Sequence, residues 1–124
     1  MGKGPRKLYV FCDMEGASQI SPANAVAMRH GSKEWREAGR AFLTSDLLAV
    51  CEAANEAGVD EIIVNDAHDG GRRESNLLVD RLPPKVRVLG RPHFQGRARR
   101  VFRENPWGIV MVGQHAMYGG GGFA

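Results

Sequence analysis

A chain of 124 residues that is 43% hydrophobic can bury one core of modest size, so residues 1–124 are expected to form a single α/β domain. The 17 Lys+Arg against 14 Asp+Glu leave a formal net charge of only +3, part of it in Met1 to Lys7 and Arg97 to Arg103, and no nucleic-acid partner is expected. No run approaches the roughly 20 apolar residues of a membrane span, and Leu8 to Cys12 is too short for the apolar part of a signal peptide; a cytoplasmic protein without a membrane partner is expected.

The first apolar run, Lys7 to Cys12 ("KLYVFC"), reads as a strand and leads into two acids, Asp13 and Glu15, in "FCDMEG". Ala17 to Gly31 has no clear period and reads as a loop with at most a short helix. From Lys33 to Ala57 the positions Trp35, Phe42, Leu43, Leu47, Val50, Cys51 and Ala54 recur at helical spacing, with Ser32 as N-cap and Gly58 as a left-handed stop. A second strand is predicted over Glu61 to Asn65, followed by "NDAHDGG". A helix over Glu74 to Asp80, ended by Pro83-Pro84, leads to a strand over Val86 to Leu89. A last helix over Gln95 to Glu104 ends before Pro106 and precedes a strand over Gly108 to Gly113. Cys12 and Cys51 belong to no Cys/His cluster and are expected to be buried thiols in a reducing compartment.

Short strands that are mostly apolar throughout, alternating with helices, predict an α/β fold. The sheet should be mostly parallel, with helices on both faces in three layers. In such a sheet the C-terminal strand ends share one rim, where ligands bind. Asp13 and Glu15, then His68, then His115 follow three different strands and would meet there. Two carboxylates at i, i+2 face the same way in an extended chain and repel unless a cation lies between them. Imidazole with carboxylate oxygen is the donor set of catalytic zinc, with Mn, Co or Fe as alternatives.

Each residue also has a plainer reading. Asp13 and Glu15 could form a solvated turn, and His68 and His115 could each be satisfied by a carbonyl; convergence of all four is what favours a metal. Four ligands serve one zinc and fall about one short of a two-metal site. Asn65 and Asp66 are read as shaping the turn or orienting His68, and Asp69-Gly70-Gly71 as turn residues. His30 and His93 are read as surface residues, and Arg97, Arg99, Arg100 and Arg103 as a solvated helix face. The glycines of "MYGGGGF" lack the lysine and hydroxyl of a phosphate-binding loop.

With "DMEG" at Asp13 to Gly16, "VNDAH" at Val64 to His68, "NLL" at Asn76 to Leu78 and "GQHAM" at Gly113 to Met117, the sequence resembles the D-aminopeptidases of the DppA type. These are zinc metallopeptidases, and the similarity runs from about Leu8 to the last residue. The resemblance implies an aminopeptidase that removes N-terminal D-residues from short peptides with metal-activated water. It implies two zinc ions, with Asp13 bridging, Glu15 and His68 on the first and His115 on the second, and assembly into a ring-like homo-oligomer. It also places a further glutamate ligand and a catalytic histidine beyond Ala124. This chain, the N-terminal portion of such a pattern, is therefore expected to contain no catalytic residue of its own and to hold one zinc firmly through Asp13, Glu15 and His68. Two alternatives stay open from the residues: a non-catalytic α/β metal- or ligand-binding fragment, and a metal-dependent hydrolase of another bond.

Overall fold

The structure, a computed structural model, describes residues 4–20, 23–27, 31–71, 74–89, 94–116 and 120–121. Four strands, β1 (Lys7–Cys12), β2 (Glu61–Asp66), β3 (Val86–Val88) and β4 (Gly108–Val112), form a parallel sheet in the order β3-β2-β1-β4. Helix α1 (Arg40–Glu56) links β1 to β2, and α2 (Phe94–Glu104) links β3 to β4. The order reverses after β3, since β4 returns to the far side of β1. Such a reversal opens a crevice beyond the carboxyl ends of the strands.

Period-two alternation divides β1 between two layers. Leu8, Val10 and Cys12 join Leu43, Leu47, Cys51 and Ala54 of α1, with Ile62 and Val64 of β2, in the larger buried cluster. Tyr9 joins Ile63, Leu89 and Val101 of α2 in a smaller one, with Phe11 packed against it. The three-layer expectation thus holds, with the α1 side carrying most of the apolar mass. Leu47 is fully buried there. Leu47→Ala is expected to lower stability by about 2–5 kcal/mol, read from urea unfolding.

The sheet is less evenly covered than the apolar strand runs suggest. Ile109 and Met111 lie beside Tyr9 and Phe11 in register, yet are 56% and 67% exposed. They stand on the edge strand, on the α2 side, where α2 covers the central strands instead.

The long helix begins where expected: Ser32 Oγ accepts from the Trp35 N–H at 3.1 Å. It ends at Gly58, whose φ is +74°. Between these ends it is not uniform, because Trp35–Gly39 forms a π turn in which the Arg40 N–H donates to Trp35 O. Ala23–Val26 is a short 3-10 turn, in line with the short helix expected between Ala17 and Gly31.

The helix predicted over Glu74 to Asp80 is absent, and only Val79–Arg81 makes a 3-10 turn. Its backbone donors are taken by groups distant in sequence or by a local side chain. The Asn76 N–H donates to Asp66 Oδ2, that of Leu77 to Ser75 Oγ and that of Leu78 to Thr44 Oγ1, at 2.7, 3.1 and 3.0 Å. Arg40 Nη2 donates to Leu77 O at 3.3 Å. With these bonds made, the segment runs as a series of bends tied to α1 through Thr44 and Arg40, and Leu77 reaches the core.

Candidate metal centre

β1 ends at Cys12, and the chain turns at once, with the Ala17 N–H bonded to Met14 O at 3.0 Å. Met14 is fully buried within this turn. Asp13 and Glu15 are therefore brought together by a turn, where the i, i+2 spacing suggested an extended strand. His68 follows β2 in a 3-10 turn, His68–Gly71, and His115 follows β4. The C-terminal ends of three adjacent strands thus deliver four titratable side chains.

The β1 and β4 loops cross closely. The Asp13 N–H donates to Val112 O at 2.8 Å and that of Gly16 to Gly113 O at 2.9 Å. A side chain on Gly16 would place its Cβ 2.1 Å from Gln114 O, which explains the glycine at the end of "DMEG".

One oxygen from each of Asp13 and Glu15 and one nitrogen of His68 lie within 4.8 Å of one another. His68 Nδ1 is 3.1 Å from Asp13 Oδ1 and 3.2 Å from Glu15 Oε2. Its other nitrogen, Nε2, lies 2.7 Å from Val26 O. A carbonyl can only accept, so Nε2 carries a proton and donates it there. In a neutral His68 the Nδ1 lone pair then faces two carboxylates, an arrangement that requires a cation between them.

Without a metal that cation is a proton on Nδ1. Burial works to lower the His68 pKa, but the facing carboxylates of Asp13 and Glu15, with Val26 O, outweigh it and push the group up to about 10. Burial likewise works to raise Asp13, and the hydrogen bonds from His68 and from the Met14 N–H outweigh it, bringing Asp13 down to about 2. His68 faces two carboxylates. A single proton serves only one of them, and Glu15 Oε2 is left buried without a hydrogen-bond partner. The donor set, one imidazole nitrogen and carboxylate oxygens around a shared point, fits a zinc ion better than it fits a proton.

His115 stands at the edge of this cluster, with Nε2 3.5 Å from Asp13 Oδ2 and 3.7 Å from Glu15 Oε2. Its Nδ1 is 2.9 Å from Ala116 O, so it too tethers one nitrogen to a carbonyl and turns the other toward the acids. Cys12, next to Asp13, offers no ligand: burial, reinforced by nearby Asp66, pushes its thiol far above the ordinary range. His30 and His93 lie outside the described residues, and Arg99, Arg100 and Arg103 lie on α2.

Sequence reasoning missed the carbonyl of Val26 and misplaced Asn76, which it set in a helix. The signal available for Asn76 was its place in the "NLL" motif of Asn76 to Leu78, which carried no role for the amide. Asp66 is buried and holds Ser75 and Asn76.

A proton held between His68 and Asp13 makes stability depend on pH. The raised His68 contributes fully below its ordinary pKa of 6.5 and loses that contribution as pH rises toward about 10. The lowered Asp13 contributes above its ordinary 3.8 and loses it as pH falls toward about 2. The metal-free chain should therefore exceed His68→Asn in stability most between roughly pH 4 and 6.5. Urea unfolding of both across the pH range checks this, and a difference that persists undiminished at pH 10 would contradict it.

The model of the D-aminopeptidase family, peptidase family M55, matches residues 6–124. The chain belongs to this family. Among solved structures this M55 chain is similar to the Zn-dependent D-aminopeptidase DppA from Bacillus subtilis, described as a self-compartmentalizing protease, at 25% identity and a TM-score of 0.72. The match covers 90% of the M55 chain and 38% of the Bacillus one, so the chain spans well under half the length of that relative. No curated protein matches it.

Proposed function

We propose that the protein is a zinc-dependent aminopeptidase that hydrolyses N-terminal D-amino acids from short peptides, and that Asp13, Glu15 and His68 hold one zinc, with His115 beside it. The observation that carries this is the set of three facing acceptors, His68 Nδ1, Asp13 Oδ1 and Glu15 Oε2, the last without a hydrogen bond. Membership of the M55 family and the likeness to a zinc-dependent D-aminopeptidase support the reaction class.

When bound, zinc polarises a carbonyl and activates water for hydrolysis. The chain's own residues supply the frame for this. Val26 O fixes the His68 tautomer, so that Nδ1 is the nitrogen presented. Asp13 turns one oxygen to each imidazole, and the Met14 N–H donates to Oδ1 at 2.9 Å, holding the carboxylate ionised. The four side chains suffice for one ion, which is the stoichiometry we propose for this chain.

Self-compartmentalization in the similar Bacillus enzyme supports assembly of this protein from several copies. Two free, buried cysteines support a reducing compartment such as the cytoplasm. Among the described residues no helix is long and apolar enough to cross a membrane.

Activity is tested with D-alanyl and L-alanyl dipeptides and a phosphate ester in the presence of zinc. Any turnover is expected to be release of D-alanine, abolished by a chelator and by Asp13→Ala. Turnover of the phosphate ester alone, or peptide release indifferent to Asp13→Ala, would overturn the assignment.

A further inference from the structure

Asn76 has no place in the proposed ligand set, yet it is among the most fully enclosed polar side chains of the protein. Its Nδ2 donates to Asp66 Oδ1 at 2.8 Å and to His68 O at 3.0 Å, and its Oδ1 accepts from Trp35 Nε1 at 3.0 Å. Its backbone N–H donates to Asp66 Oδ2 at 2.7 Å, and Ser75 Oγ donates to the same oxygen at 2.9 Å. Both amide protons are therefore engaged. The orientation is fixed by chemistry, since a flipped amide would set Oδ1 against a carboxylate and a carbonyl.

From this geometry we infer that Asn76 is a positioning residue for His68, setting the backbone from which the imidazole reaches the metal. The inference rests on the proposed role of His68 as a ligand. Two anchors hold that residue apart from the metal side: Val26 O grips the ring at Nε2, and Asn76 grips the main chain at O. The turn they hold is irregular, with Asp69 at φ +48°, and β2 has ended before it. Asp66, buried at the last position of β2, orients Asn76 and so acts on His68 through it. Trp35 brings the first turn of the long helix onto the same amide. Asn76→Asp would lose both donors and set a second carboxyl group against that of Asp66, and Asn76→Leu would take the Nδ2 donor away from Asp66 Oδ1 and His68 O.

Zinc affinity, measured by competition with a chelating dye on protein checked for folding by circular dichroism, separates positioning from general support. Asn76→Ala should weaken zinc by about 10–100-fold, as loss of a partner that orients a metal ligand does. Trp35→Phe removes the bond to Oδ1 but leaves both Nδ2 donors, and should lower stability while changing zinc affinity by less than about threefold. Equal weakening by the two variants, or none with Asn76→Ala, would overturn the inference.

A measurement on the unaltered chain serves where Asn76→Ala fails to fold. Zinc should slow hydrogen exchange of the Asn76 side-chain amide and shift its NMR signals, because coupling between two sites is reciprocal. An Asn76 amide unmoved by saturating zinc would contradict the inference. Wild-type protein that binds no zinc, or binds it equally well after Asp13→Ala, would instead remove the ligand reading on which the inference rests.

Discussion

Asp13→Ala should abolish firm zinc binding while leaving the chain folded. Asp13 uses both oxygens at the cluster, Oδ1 toward His68 and Oδ2 toward His115, whereas Glu15 meets both imidazoles through Oε2 alone. Its removal takes away a candidate ligand and the group that separates the two imidazoles. Loss of an orienting partner costs about 10–100-fold in metal affinity, so loss of this carboxylate should exceed about 100-fold. The fold should survive, because Glu15 Oε2 remains 3.2 Å from His68 Nδ1 and the core beneath is apolar. Titration calorimetry on both proteins decides the matter, with Glu37→Ala, on the exposed face of the long helix, as a control. Affinity within tenfold of the unaltered chain would count against the site.

Gly113→Ala should damage both stability and the site. Gly113 has φ +70°, and a Cβ there would fall 1.9 Å from Asp13 O and 2.8 Å from Asp13 C. These are backbone atoms of the crossing loop, with no flexible end that can swing aside. A left-handed conformation costs a non-glycine residue about 1–3 kcal/mol, and overpacking adds about 1–3 kcal/mol. The loss expected in urea unfolding is thus roughly 2–6 kcal/mol. The β1 and β4 loops must separate to relieve the contact, drawing His115 away from Asp13 and weakening zinc as well. A variant as stable as the parent, with unchanged zinc affinity, would show that the crossing does not hold the rim.

The parts of this structure that were legible in the sequence are those set by local pattern. β1 occupies Lys7–Cys12 as its apolar run predicts, and α2 differs by one residue from the predicted Gln95 to Glu104. Ser32 and Gly58 mark the ends of the long helix because capping and left-handed stops are local chemistry. The strand alternation also sufficed to place Asp13, Glu15, His68 and His115 beyond the ends of three strands.

What local pattern could not supply is which distant groups meet. The stretch from Glu74 has helical composition, but Asp66, Thr44 and Arg40 take the backbone groups a helix would use. Periodicity carries no record of such partners. The π turn at Trp35–Gly39 was hidden for a related reason: Trp35 is committed to Asn76, 41 residues away in sequence. That Gly16 admits the backbone at Gln114 depends on where β4 ends. Nor could residue types reveal the carbonyl of Val26, since any residue presents a backbone oxygen, yet that oxygen decides which nitrogen His68 offers.

If Asp13, Glu15 and His68 surround one zinc ion, anomalous diffraction at the zinc edge from crystals of the zinc-loaded chain should show it. One strong peak is expected within bonding distance of Asp13, Glu15 and His68 Nδ1, with His68 Nε2 still donating to Val26 O. A peak bound through His68 Nε2, or none at these three side chains in crystals grown with saturating zinc, would contradict it.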